Sequence, residues 1–432
     1  MRRYHYVGLS RRIWLRRAIF FSGAVLIGLV AVGFAQLADA SQNLYSMILK
    51  RWPWLPFFIA PAGFAALAYV TARWFPESVG SGIPQVIAAR RHKNASFRKR
   101  LLGWPTMVAK IVMTAIALVF GASVGREGPT VQVGASVMYA VAGFAGIGRH
   151  NGLVLAGSAA GIAAAFNAPI AGILFAIEEV AKSYAGRINE LVIASVAIAA
   201  GVSWLILGNY SYLGVVSATM SHARDWISIP VCALLGGLMG GFFSRSLVAL
   251  IRRPPAIISR LRRRPAVFAA FCGFIVAALS IATGGYASGN GYAETHAALV
   301  SGNYIPFWYG PFKLVSTLLS SASGIPGGLF SPSLAVGAGL GSMVTPIFPF
   351  IEPSALILMM TVGYFSAVVQ SPLTAVVIVM EMTSDRNMVI PLMATSLLAA
   401  GISRLVQREP LYHALSYGFK PSPEEAAKAP PR

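Results

Sequence analysis

The run Gly125-Arg126-Glu127-Gly128-Pro129 places an acid in a chain that is 56% hydrophobic and only 11% charged. A carboxylate among apolar residues is costly, and at membrane depth such an acid is by default functional. Glycine and proline around Glu127 free the backbone from regular pairing. The unpaired N–H groups of a helix start attract anions. A titratable acid beside such a start points to a site shared by a proton and an anion.

Two more loops could open helices in the same way, Gly80-Ser81-Gly82-Ile83-Pro84 and Gly327-Gly328-Leu329-Phe330-Ser331-Pro332. Proline suits the first helical turn, which carries about half a positive charge. One such loop alone is a turn. Three converging could hold a dehydrated anion without a full counter-charge. Lys110, Lys313, Glu178, Glu179 and Glu381 also interrupt apolar runs. Glu178 and Glu381 either pair with one another or cap buried helix ends. Glu179 is the better candidate for passing protons. The two lysines are long enough to snorkel, and could draw anions inward.

Other patterns carry less. Gly121-Ala122-Ser123-Val124-Gly125 fits a nucleophile elbow but has no strand–turn–helix setting. Gly337 through Gly341 resembles a nucleotide loop without the required spacing. Gly236, Gly237, Gly240 and Gly241 read as close helix packing. Cys232 and Cys272 read as buried thiols, the six histidines form no metal-spaced cluster, and no cofactor is implied. With no catalytic set, the chain does not read as an enzyme.

The elements that must position these residues are membrane helices. Soluble domains carry about 25% charged residues, far more than this chain. A plain span needs ~20 apolar residues, whereas many runs here are shorter or broken by Gly and Pro. The net charge of +21 does not point to nucleic acid. Its cations gather at the N-terminus, in Arg90–Arg100, in Arg252–Arg264 and at Arg404 and Arg408, a positive-inside pattern that puts these segments in the cytoplasm. The chain also repeats itself at an offset of 203: Lys110 and Lys313, Gly121 and Gly324, Gly125 and Gly328, Pro129 and Pro332, Pro169 and Pro372, Glu178 and Glu381. Repeated membrane halves with interrupted helices place a substrate at their interface near mid-membrane. The expected layout is a cytoplasmic segment 1–20, a transport domain 21–412 with halves of about 21–210 and 225–410, and a disordered cytoplasmic tail 413–432.

These motifs, with Ala163-Ala164-Ala165-Phe166-Asn167-Ala168-Pro169 and Pro410-Leu411-Tyr412, resemble those of the CLC family of chloride channels and chloride/proton antiporters over roughly residues 75–412. The resemblance implies an all-α, inverted-repeat fold with broken and tilted helices. It implies a homodimer with one pore per subunit, in a cell membrane that the short chain suggests is the bacterial inner membrane. Ser81 and Tyr412 would offer hydroxyls to a central chloride, and Leu329 and Phe330 their backbone amides; Gly128 joins them as an anion-binding position. Glu127 matches the external gating glutamate and Glu179 the internal proton-transfer glutamate. Serine at position 81 is similar to chloride-preferring members, where nitrate-preferring ones carry proline. Gln85 and Ser331 depart from a common glutamate and alanine. The expected function is secondary-active exchange of chloride for protons; the alternative is a passive, proton-gated chloride channel of the same fold.

Overall fold

A computed structural model of the chain describes residues 11–92, 94–144, 151–182, 190–208, 210–300 and 305–427. The first half runs α1 Arg11–Arg51, α2 Pro56–Trp74, α3 Ile83–Arg91, α4 Ala95–Leu102, α5 Trp104–Val119, α6 Glu127–Phe144, α7 Asn151–Phe166, α8 Pro169–Phe175 and α9 Glu190–Leu207. The second runs α10 Ser228–Arg252, α11 Ala256–Arg262, α12 Pro265–Ala282, α13 Tyr292–Val300, α14 Tyr309–Ala322, α15 Phe330–Val344, α16 Pro353–Val369, α17 Pro372–Thr383 and α18 Val389–Val406. Two short helices follow, α19 Leu411–Ser416 and α20 Pro423–Ala427.

Seven helical stretches among the described residues are long and apolar enough to cross a membrane; Asn151–Phe166, Pro353–Val369 and Pro372–Thr383 are apolar but shorter. The outer faces are greasy, with Phe58, Phe144, Leu205, Ile390 and Leu405 exposed. The interior instead holds many Ser and Thr residues beside its apolar core. That inversion suits a solvent of lipid. Prolines at the starts of α2, α3, α5, α8, α12, α16 and α17 supply a preset φ where an N–H is not missed. The glycines of α10 do mark close packing: a Cβ at Gly236 would lie 2.8 Å from the Tyr364 backbone nitrogen.

The halves are inverted copies. Gly125 and Gly328, 203 positions apart, bond to each other reciprocally as an antiparallel pair, N–H to O at 2.9 and 2.7 Å. A pseudo-two-fold axis therefore passes between them. Asn167 and Gln370, also 203 apart, share a left-handed φ of 56° just before α8 and α17.

The repeat also extends further back than the sequence reading found, at an offset of 209. Pro56 opens α2 and Pro265 opens α12. Gly80-Ser81-Gly82, with φ of 62° and 96° at its glycines, has a twin in Gly289-Asn290-Gly291, with 63° and 75°. Glycine is required at these left-handed positions, where other residues pay a steric cost.

Three expectations need adjustment. The backbone is already helical from Arg11, so α1 takes in residues assigned to a separate N-terminal segment; Arg2 and Arg3 lie outside the described residues. The segment from 413 expected to be disordered is ordered through Ala427. The Arg100 guanidinium pairs with Glu425 at 3.2 Å, and the Asn94 amide donates to the Glu425 backbone oxygen. A polar tail needs no core of its own when a basic loop supplies its partners; residues 428–432 lie outside the described residues. Lastly, Lys110 and Lys313 do not snorkel but are fully buried.

Candidate anion and proton site

The three glycine-bearing loops do meet. Gly80 N–H donates to Ile325 O at 3.1 Å and Gly327 N–H donates to Gly80 O at 3.0 Å, while the Gly125–Gly328 pair ties in the third loop. The approach is close enough to require glycine. A Cβ at Gly128 would sit 3.1 Å from Ser81 O and 3.3 Å from Gly328 Cα. One at Gly328 would sit 2.8 Å from Pro129 Cδ.

Buried lysines hold the turns. Lys110 Nζ donates to the carbonyl oxygens of Ser78, Val79 and Gly80, the last two at 3.3 and 2.8 Å. Lys313 does the same for Ala287, Ser288 and Gly289, at 3.5, 2.6 and 2.8 Å. In the second turn the Asn290 N–H donates to Gln42 Oε1 at 3.1 Å, and Asn290 Oδ1 accepts from the Tyr292 N–H at the start of α13 at 3.0 Å. Among the described residues, no side chain caps the N-terminus of α3 or α15.

The structure thus gathers Ser81, Gly128, Leu329 and Phe330 where the loops meet. Tyr412 joins them through its ring, stacked on Phe330 at 6.0 Å between centroids. Phe330 is further wedged among Phe166, Phe175 and Phe365 at 5.8, 5.8 and 5.0 Å. The Ser81 and Tyr412 hydroxyls are buried and have no partner among the described residues. Donors kept dry and unpaired carry a cost unless something accepts from them. An anion would satisfy them.

Glu127 opens α6, fully buried, where the helix dipole favours negative charge. Its Oε1 accepts from the Tyr212 hydroxyl at 3.2 Å and lies 4.0 Å from Arg126 Nε, while Oε2 has no partner among the described residues. Arg126 itself donates to Asp39 Oδ1 and Ala35 O, both at 2.7 Å. A cavity of about 320 Å³ lined by Asp39, Arg126, Tyr210, Tyr212 and Tyr292 opens on this side.

Glu179 is placed apart from Glu127, in a wide π-type turn, Ala176–Ala181, that continues α8. Such turns break the α register and recur at functional sites. Glu179 accepts from Ser371 Oγ, and its Oε1 is buried without a partner. Its neighbour Glu178 faces elsewhere: it accepts from the N–H groups of Leu373 and Thr374 at the start of α17.

Sequence reasoning missed Tyr212, because the stretch 210–222 has no periodicity to give its side chains a face. It missed the Asn290 turn because the shift from 203 to 209 hides it from a fixed-offset comparison. The departure at Gln85 leaves a structural role: its amide nitrogen donates to Glu77 O and Val79 O at 3.0 and 2.6 Å.

Inverted halves, broken helices whose starts meet at one buried point, and acids beside that point define a membrane transport protein. The chain belongs to the voltage-gated chloride channel family, whose model matches residues 62–404. It is 30% identical over 417 residues to the H(+)/Cl(-) exchange transporter ClcA of Vibrio cholerae, covering 90% of this chain and 86% of that one. It is 28% identical over 441 residues to ClcA of Klebsiella pneumoniae, covering 95% and 91%. Among solved structures it is similar to a slow cyanobacterial Cl-/H+ antiporter, with a TM-score of 0.79 at 23% identity over 97% of this chain and 99% of that one. It is also similar to a CLC-type fluoride/proton antiporter, with a TM-score of 0.77 at 20% identity over 91% and 96%. At those identities the two structures speak for the fold alone.

Proposed function

We infer that this protein is a secondary-active chloride/proton antiporter. The observation that carries the reading is the pair of buried acids, Glu127 at the helix start where the loops meet and Glu179 in the π-type turn, each with one carboxylate oxygen left without a partner among the described residues. The exchange function of the curated relatives supports it, and favours exchange over the passive channel.

In this reading, Ser81, Tyr412, Gly128 and the amides of Leu329 and Phe330 receive chloride as substrate. Ionised Glu127 competes with chloride for the positive helix starts. Taking up a proton cancels its charge and its claim on those donors, and chloride advances. The proton then moves between Glu127 and Glu179, and chloride passes Ser81 and Tyr412 the other way. Coupling follows because one place cannot hold two anions: carboxylate and chloride exclude each other.

The proposal extends to a homodimer with one pathway per subunit, in a bacterial inner membrane with both termini cytoplasmic. The clustering of cations in Arg90–Arg100 and Arg252–Arg264 supports that orientation. Residues 21–412 act as one transport domain. The test is purified protein in liposomes under a chloride gradient. Uphill proton movement is expected; chloride flux with no proton movement would leave the passive channel as the reading.

A further inference from the structure

We propose that Tyr212 is a positioning residue that latches the Glu127 carboxylate and sets the pH at which it lets go. The inference rests on Glu127 being the gate and deepens that reading.

The Tyr212 hydroxyl is the one hydrogen-bond donor to Glu127 among the described residues, and both side chains are buried. The phenol is rigidly aimed. Its ring meets Phe166 edge-on at 5.8 Å and Tyr292 at 5.0 Å. The backbone beside it is tied to the end of α17, with Leu213 N–H donating to Met382 O at 2.7 Å and Val216 N–H to Thr383 O at 3.0 Å. An otherwise irregular loop is thus fixed at the residue that touches the gate.

The neighbours that share this control can be named from every side. Arg126, next in sequence to Glu127, stands 5.9 Å over the Tyr212 ring and is tied to Asp39 of α1. Tyr292 comes from α13, Tyr210 from the same loop, and Tyr412 from α19. Ser331, on the first turn of α15, adds a buried hydroxyl on the side of Tyr212, and its Cβ lies by the same point near Gly125 as Glu127 Oε2. Of these, Tyr212 alone is hydrogen-bonded to the carboxylate.

A hydroxyl donating to a carboxylate makes a charge-assisted bond, about twice as strong as one to the neutral acid. Tyr212 therefore favours the ionised, latched gate. Removing its hydroxyl disfavours that form, so the gate takes a proton at higher pH.

The experiment is chloride flux against pH for wild type, Tyr212→Phe, Glu127→Ala and the double variant in liposomes, with the proton-to-chloride ratio measured alongside. For Tyr212→Phe the midpoint of activation should move about one to two pH units upward, the size expected for a hydrogen bond to a charged group. In the Glu127→Ala background the same substitution should change nothing. As a variant that keeps the shape of the side chain, a ring-fluorinated tyrosine at position 212 donates more strongly and should move the midpoint downward. An unmoved midpoint in both position-212 variants, with Glu127→Ala still abolishing pH dependence, overturns the latch and spares the gate. Retention of pH dependence in Glu127→Ala would instead overturn the gate, and the latch with it.

Discussion

Glu178 caps the helix that carries Glu381, and Glu381 caps the helix that leads into Glu178. Glu178 takes the Leu373 and Thr374 N–H groups at 3.3 and 2.7 Å and the Thr374 hydroxyl at 2.8 Å. Glu381 takes the Ile170 and Ala171 N–H groups at 3.1 and 2.6 Å. The two acids lie 203 positions apart, so one interaction is made twice across the pseudo-two-fold axis. Of the two roles open to them, pairing or capping, they cap.

Removing either cap should destabilise the protein rather than its coupling. Replacing an N-cap acceptor by alanine costs about 1–2 kcal/mol. Glu178→Ala should cost more than Glu381→Ala, because Glu178 also holds a side-chain hydroxyl. Thermal unfolding in detergent reads the stability, and liposome flux the proton-to-chloride ratio. A lost ratio with unchanged stability in Glu178→Ala would move the proton role from Glu179 to Glu178.

The lysine clamps should divide in the same experiment. Lys110→Met frees the carbonyls that shape the Ser81 turn, and chloride binding should weaken about tenfold, the equivalent of one lost charge-assisted hydrogen bond. Lys313→Met frees the Asn290 turn, which lies outside the proposed chloride path, so affinity should hold while stability falls. Isothermal titration with chloride checks both; equal loss in the two variants would mean that the clamps act only on the fold.

For the acids themselves, Glu127→Ala should keep chloride flux and lose both its pH dependence and its proton coupling. Glu179→Ala should keep chloride flux and lose proton transport. Ser371→Ala, which removes the one hydroxyl bonded to the Glu179 carboxylate among the described residues, should slow protons without stopping them. Proton-coupled flux at the wild-type rate in Glu179→Ala would sink its assignment.

Outside the membrane, the tail has its own pH dependence. Slight burial pushes the Glu425 carboxyl up, but the Ser422 N–H and the Arg100 guanidinium outweigh it and hold the group below its ordinary value. A depressed carboxylate contributes to docking above its free value and loses that contribution as pH falls through the bound one. Amide-exchange protection in 411–427, taken relative to the intrinsic rate at each pH, should therefore be high at neutral pH and fall in acid below the usual carboxylate range of about 4. Glu425→Gln should remove that acid transition; its persistence would assign the docking to other contacts.

Much of this was legible in the chain because repetition leaves a fixed offset. Lys110 with Lys313 and Pro169 with Pro372 announce two halves, and the glycine loops announce where helices start. Direction was not legible in the offset itself, since a repeat looks the same in sequence whether its copies lie parallel or inverted; the inverted arrangement came from the family resemblance, and the antiparallel Gly125–Gly328 pairing fits it. Tyr212 was hidden for another reason. Its importance comes from where a loop of no regular period is tethered, which is a property of α17 and not of its own neighbours. The lysines misled because length alone permits snorkelling, while the carbonyls that compete for them belong to turns the pattern had not paired.

Where the halves touch at their axis, Gly125 and Gly328 present bare backbone to each other. The two bonds across this seam are made by amides and carbonyls alone. They need glycine at 125 and 328 but draw on no side chain of residue 127 or 330. Glutamate at 127 on one copy and phenylalanine at 330 on the other can therefore differ while the backbone pairing at the axis stays the same. Symmetry at this seam is what permits the asymmetry of the ion path.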